Sequence, residues 1–331
     1  MKLLIISSNT NRASFRQRIE VYLDILQANG IHCEVAKLPS GLLARRKLFK
    51  KAAGYDGVFL HKKKLNLLDA IWLRRYSRKI IYDFDDAIMY SDKTPQRDSL
   101  SHLWSFRRTV KLDDMVVAGN SYLAEHARKY NPRVEVLPTG LDIKAYTVES
   151  QPENDGKIRL VWIGSHSTIN YLAEIKPALE EIGSRFDNVI LRIVCDEFFD
   201  LQNIPVEKRR WSLETEAADL VASDIGLAPL PDNRFTRGKC GFKILQYAAA
   251  SLPVVASPVG TNPYYVRDGA TGFLAASIQE WIDRIAQLVK DPLLRKKMGH
   301  EGIAQAQKFD TSIIGKQLTR LISECLRGAA D

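Results

Sequence analysis

The sequence predicts an α/β fold made of two tandem units, each a parallel sheet covered by helices. Short apolar, β-branched runs alternate with longer amphipathic stretches. Parallel strands need helical crossovers, so this alternation is their signature. The pattern stops in a polar segment containing Pro and Gly at 148–157 and then starts again. A chain of 331 residues is long enough to bury two cores of ordinary size.

The first unit opens with KLLIIS at 2–7, a buried strand; the run MKLLIISSN turns polar too soon for a signal peptide. A helical pattern through Ile19, Leu23 and Leu26 ends at Gly30, and a new run starts at IHCEVAKL. YDGVFLH (55–61), RKIIYDF (78–84), DMVVAGN (114–120) and VEVLPTG (134–140) read as further strands. Beyond the linker, IRLVWIG (158–164), VILRIVCD (189–196), ADLVASDIGLAPL (218–230) and LPVVASPVG (252–260) are the expected strands, with helices between them. A last helix carries one apolar stripe, Ile314, Leu318, Leu321 and Cys325. The expected division is 1–150, 151–309, and a terminal helix over 310–331 that packs back toward the first domain.

Composition narrows the class. Hydrophobic residues make up 45% and charged residues 26%, as in globular chains, and no run of 18 apolar residues suggests a membrane span. Cys33, Cys195, Cys240 and Cys325 are scattered without CxxC spacing, which argues against a zinc site or disulfide framework and fits a reducing cytoplasm. The net charge of +9 is uneven: residues 1–150 hold 26 Lys and Arg against 16 Asp and Glu. The cations cluster at 44–51, 61–64 and 74–79, a pattern suited to a phosphate-rich surface. Few aromatics interleave them and no nucleic-acid module is visible, so an anionic membrane ranks above nucleic acid.

Four features could carry chemistry. IGSHSTIN (163–170) is a strand–turn–helix start whose backbone N–H groups, with Ser165, Ser167 and Thr168, suit a phosphate. In RFTRGKCGFKILQYAAASLPVVASPVG (234–260), glycines precede a helix on which Lys239, Lys243 and Gln246 fall on one face. Cations at a helix N-terminus oppose its dipole, and a bound anion resolves that conflict. YDFDDA (82–87) puts three carboxylates at a strand end, where ion pairs compete with a metal. SFRQRI (14–19) and the strand-ending His61 lie where α/β sheets bind ligands. There is no G-x-S-x-G, no Walker A sequence and no G-x-G-x-x-G after the first strand.

These residues resemble the retaining glycosyltransferases of family 4, the group 1 family, most densely from 158 to 310. SDIGLAPLPDNRFTRGKCGFKILQYAAASLPVVASPVG looks like the family's donor-site strand, helix and loop; DGATGFLA (268–275) and DPLLRKKMGHEGIAQAQKF (291–309) match its downstream phrasing, and PTGLD (138–142) its domain-crossing turn. The resemblance implies the GT-B architecture of two facing Rossmann-like domains. It further implies sugar transfer from a nucleoside diphosphate sugar, a UDP or GDP sugar, to a saccharide or lipid-linked acceptor in polysaccharide or glycolipid synthesis. Configuration would be retained, with no metal and no cofactor beyond the sugar nucleotide.

On that resemblance Lys243, Lys239 and Arg237 stabilise the departing diphosphate. Gly164, Ser165, Ser167, Thr168, Gly238 and Gln246 hold the donor, and Arg16, Arg18, His61 and Asp85 line the acceptor side. Two departures stand out. Gly238 and Gln246 occupy the positions of the family's Glu-x7-Glu, and GSHSTIN replaces its usual Arg and Lys after the first strand of the second domain. A sugar-nucleotide epimerase of the same fold and a non-catalytic sugar- or lipid-binding subunit are the alternative readings. The expected location is the cytoplasm, peripheral at the inner face of the membrane.

Overall fold

The computed structural model describes residues 1–147 and 155–328. Of the expected linker at 148–157, residues 148–154 lie outside them. The chain forms two compact units, Met1–Gly140 and Leu141–Asp232 with Gly241–Asp310; Asn233–Cys240 and the terminal helix Thr311–Arg327 pack with the first. The division thus falls at Gly140, inside PTGLD, where the sequence reading had placed it at 150.

The first unit holds β1 (Lys2–Ser7), β2 (His32–Lys37), β3 (Gly57–His61), β4 (Ile80–Phe84), β5 (Met115–Ala118) and β6 (Val134–Val136). All pair in parallel, in the order β2-β1-β3-β4-β5-β6. The second holds β7 (Ile158–Ile163), β8 (Val189–Cys195), β9 (Val206–Arg210), β10 (Ile225–Ala228), β11 (Val254–Ala256) and β12 (Gly272–Leu274), parallel in the order β12-β11-β10-β7-β8-β9. Central strands such as β3, β4 and β8 are buried along their whole length, which is why they read as continuous apolar runs. The edge strand β9, VEKRR, is half to fully exposed and carries no apolar run, so the sequence does not announce it.

Strand order reverses once in each sheet, between β1 and β3 and between β7 and β10, and at such points neighbouring crossovers leave by opposite faces. At the β7–β10 reversal the paired residues are Ile225 with Leu160 and Gly226 with Val161. Further along, the buried Tyr247 hydroxyl substitutes for the ladder: it accepts from the Ile163 N–H at 3.0 Å and donates to the Leu227 carbonyl at 3.0 Å. Gly226 makes room for this ring, since a Cβ there would sit 2.5 Å from Tyr247 Cγ.

A charged residue inside β8 is explained in the same way. Arg192 is 1% exposed, yet Nε donates to Glu207 on β9 and Nη1 to the carbonyls of Asp219 and Ala222 at the end of helix Glu216–Val221. The terminal helix closes the first unit against helix Leu23–Ala28, where Gly315 leaves space for Tyr22 and Ile25. No helix among the described residues is long and apolar enough to cross a membrane.

Tyr247→Phe strands a buried N–H and a buried carbonyl. It should lower unfolding stability by about 1–3 kcal/mol, read as a lower urea midpoint at unchanged slope.

Candidate active site

In the second unit, β7 runs into Gly164 at the carboxyl edge of the sheet. A Cβ on Gly164 would collide with the Trp162 ring and sit 2.9 Å from Thr168 Oγ1, so the position accepts only glycine. The turn that follows is held by its own side chains. The Ser165 N–H donates to Thr168 Oγ1, the His166 N–H donates to Asp196 Oδ1 at 2.8 Å, and the Ser165 and Ser167 hydroxyls lie 2.9 Å apart. Ser165 and Ser167 are exposed. The backbone N–H groups of 164, 165, 166 and 168 are therefore engaged within the protein, and the Ser165 and Ser167 hydroxyls are among the donors the turn presents.

The helix after β10 spans Phe242–Ala249, three residues later than the sequence pattern suggested. It starts there because Gly241 adopts the left-handed conformation, φ +62°, with the Tyr265 ring 2.7 Å from where a Cβ would be. Lys243 lies in the first turn with its ammonium 4.5 Å from the centre of the Trp162 ring. The same indole backs Gly164, so Lys243 and the Gly164–Thr168 turn converge on one residue. Gln246 is 4% exposed and donates from Nε2 to the Tyr146 hydroxyl at 3.0 Å. One of its two amide N–H donors is thus engaged, and burial raises the Tyr146 hydroxyl.

Lys239 is not on this helix, which corrects the single-face reading of Lys239, Lys243 and Gln246. It follows the 3-10 turn Thr236–Gly238 and belongs to the first unit, where its ammonium donates to Asp86 at 2.9 Å. Asn120 holds the same segment by donating to the Gly238 carbonyl at 3.0 Å, while its own side chain caps helix Ser121–Arg128. Gly238 is required for packing: a Cβ would fall 2.7 Å from that of Ala87. Arg237 is exposed in the turn.

The carboxyl edge of the first sheet carries a second cluster. Ser7 and His61 end β1 and β3, and Asp83, the last residue of β4 but one, pairs beside His61. Arg18, from helix Ala13–Arg18, is ion-paired with Asp83 and donates to the Leu137 carbonyl at 2.6 Å. Burial alone would raise the Asp83 carboxyl, but Arg18 and His61 outweigh it and hold Asp83 below the usual carboxylate range. An ionised carboxylate only accepts, so His61 Nδ1, 2.9 Å from Asp83 Oδ2, carries the proton. Nε2 is buried and without a hydrogen-bond partner.

Next along the chain, Lys62 sits at φ +52°, a conformation costly for a side chain of its size. Its ammonium joins Asp85 at 2.8 Å and also Asp86. The three carboxylates of DFDD are thus each held by a cation.

Of the acceptor-side residues expected from sequence, His61, Arg18 and Asp85 meet in this cluster. Arg18 is enclosed and acts on it through Asp83, while Arg16 is half-buried on the same helix. Asp83, Lys62, Trp162 and Tyr146 were missed as site residues. Only strand order puts Asp83 beside His61, although both stood at strand ends.

Residues 143–291 match the family described as glycosyl transferases group 1. That segment is similar to group 1 glycosyltransferase domains. Two curated relatives are D-inositol 3-phosphate glycosyltransferases. That of Corynebacterium aurimucosum is 33% identical over 107 residues, 32% of this chain and 24% of the relative. That of Corynebacterium efficiens is 24% identical over 251 residues, 66% of this chain and 58% of the relative. The chain therefore matches well under two thirds of the length of either.

Among solved structures, Anabaena HepE in complex with UDP and glucose superposes with a TM-score of 0.76 at 19% identity, covering 98% of this chain and 99% of HepE. That likeness is one of fold, and the architecture is GT-B. Within the matched residues 143–291 lie Gly164, Ser165, Lys243 and Gln246, while Arg18, His61 and Asp83 precede them.

Asp83→Asn leaves Arg18 as an uncompensated buried charge and should cost about 3–5 kcal/mol. Asp83 titrates lower in the folded chain than in the unfolded one. The pair's stabilisation is therefore complete above about pH 4 and is lost as pH falls through the folded value. Urea midpoints across pH should show a wild-type acid limb that the Asn variant flattens.

Proposed function

We propose that this protein transfers a sugar from a UDP-sugar to a saccharide or lipid-linked acceptor. The observation that carries the reading is the convergence of Lys243 and the Gly164–Thr168 turn on Trp162. The helix N-terminus and the lysine both place positive charge at the carboxyl edge of the sheet, next to a position where no Cβ intrudes. A diphosphate satisfies both, and departure of a nucleoside diphosphate is the step in which negative charge grows there. The Ser165 and Ser167 hydroxyls add donors to the same anion. HepE, of the same fold, was solved with UDP-glucose, and this supports uridine as the nucleoside.

On the first unit, His61 Nε2 would accept from the acceptor hydroxyl, oriented by Asp83 and Arg18. Asp85 and Lys62 would add polar contacts beside it. Retention of configuration and independence from metal belong to the same proposal. Lys62 and Lys239 already neutralise Asp85 and Asp86, so these carboxylates are poor candidates to bridge a cation to a diphosphate. A cytoplasmic site of action follows from a sugar nucleotide donor.

Gln246 supports a second reading, a non-catalytic sugar-binding subunit: its position carries an amide bonded to Tyr146 instead of a carboxylate. Turnover by the purified protein separates the two.

Lys243→Ala should cut transfer from UDP-glucose by about 10²-fold or more while the urea midpoint moves little, since the lost contact with Trp162 is worth about 0.5–1 kcal/mol. Near wild-type turnover in this variant would displace the diphosphate from the site. Transfer should persist in EDTA and yield a product whose anomeric proton signal matches the donor's configuration; rescue of a dead reaction by Mg²⁺ or Mn²⁺ would reverse the metal reading.

A further inference from the structure

The face of the first unit built by helices Leu42–Lys51, Leu67–Tyr76 and Leu100–Leu112 has apolar side chains where solvent should be. The three helices pack side by side, the middle one against each of the others, and bury Phe49, Leu73 and Phe106 in one core over the sheet. Their outward residues are anomalous only at the beginnings. Leu43 is 79% exposed, Leu67 60% and Leu100 69%; Leu42, Ile71 and Trp104 are each about half exposed.

Topology brings these beginnings together. Each helix is a crossover between parallel strands, so each starts at the carboxyl edge of the sheet and runs back toward the opposite edge. The six apolar residues therefore lie along the edge that also holds His61 and Asp83.

Charge names the occupant. The three helices carry ten Lys and Arg against one acidic residue, Asp69, which is buried and bonded to Arg45. Arg46 and Lys47 are exposed one turn past Leu42 and Leu43; Arg107 stacks over the Trp104 ring at 5.2 Å; Lys63 lies in the loop before the second helix. Apolar side chains beside cations, with Trp at the boundary, match a bilayer surface with anionic headgroups. A protein partner of ordinary composition explains the apolar part and not the one-sided charge.

We propose that these three helix beginnings form a membrane-docking face that inserts apolar side chains into an anionic leaflet. The inference rests on the glycosyl-transfer reading and deepens it: the acceptor is a lipid-linked sugar presented at the carboxyl edge of the first sheet. It also narrows the basic cluster at 44–51 that the sequence offered for a phosphate-rich surface. Phe49 is fully buried, Arg45 is bonded to Pro39, Ser40 and Asp69, and Lys51 pairs with Glu34.

The test is sedimentation of the full chain with vesicles of phosphatidylglycerol and phosphatidylcholine, against phosphatidylcholine alone. Binding should require the anionic lipid and weaken at high salt. It should fall at least tenfold both in the combined Leu43→Gln, Leu67→Gln, Leu100→Gln variant and in Arg46→Gln, Lys47→Gln. The control Leu293→Gln, an exposed leucine of the second unit, should leave it unchanged.

Urea midpoints of each variant keep misfolding apart from lost docking, and UDP-glucose binding by calorimetry is measured in parallel. Vesicle binding lost in wild type with UDP-glucose binding intact overturns the docking face alone; absent UDP-glucose binding overturns the transfer reading. Equal binding to both vesicle types, full binding by the leucine variant, or self-association through these leucines without vesicle binding also overturns the docking face.

Discussion

Parallel pairing is the constraint from which the rest of this molecule follows. A strand that must run in the same direction as its neighbour has to return across the sheet, and the return is made by a helix. Strand ends and helix beginnings are therefore gathered along one edge of each sheet. Where strand order reverses, at β1–β3 and at β7–β10, that edge opens. Gly164 and Lys243 lie at the second reversal, and Ser7, His61 and Asp83 lie at or next to the ends of the strands at and beside the first. The exposed helix beginnings of the first unit occupy the same edge for the same reason.

Holding chemistry at such an edge obliges the protein to bury polar groups, and the outcome depends on how completely each is satisfied. Arg18 and Asp83 are both almost fully enclosed. Desolvation is the largest single influence on each, yet their mutual attraction, with His61 added, keeps both ionised. Cys240, enclosed beside Asp85 and Asp86, shows the opposite balance: burial and the nearby carboxylates raise its thiol and keep it protonated. Tyr247 and Arg192 solve the same problem in the second unit by bonding to backbone groups that the sheet leaves open. His61 Nε2 is the atom in the cluster left without a partner, and it is the one the proposed acceptor would use.

Glycine has three different uses around the donor residues. At Gly164 the missing Cβ keeps the Trp162 ring in place; at Gly241 a left-handed backbone sets where the helix begins; at Gly238 close packing on Ala87 fixes a loop to the first unit. In the sequence, Gly238 and Gly241 simply precede the helix that carries Lys243. Their neighbours in the fold are protein side chains, and the cation over Trp162 is the feature that points to an anion.

The sequence by itself determined the α/β class, the tandem organisation and ten of the twelve strands among the described residues, because most of these are buried parallel strands that read as apolar runs. It missed β9, whose edge position permits a polar strand, and β12. It also located Lys243, His61 and the turn at Gly164, since each stands at the end of a strand or the start of a helix. Tertiary structure alone decided which of these residues meet. Strand order put Asp83 against His61, the left-handed Gly241 ended the supposed face shared by Lys239 and Lys243, and the packing of 233–240 gave Lys239 to Asp86. Periodicity reports which face of an element is buried, whereas the neighbours of that face are set by contacts distant in sequence, and those carry no local signature.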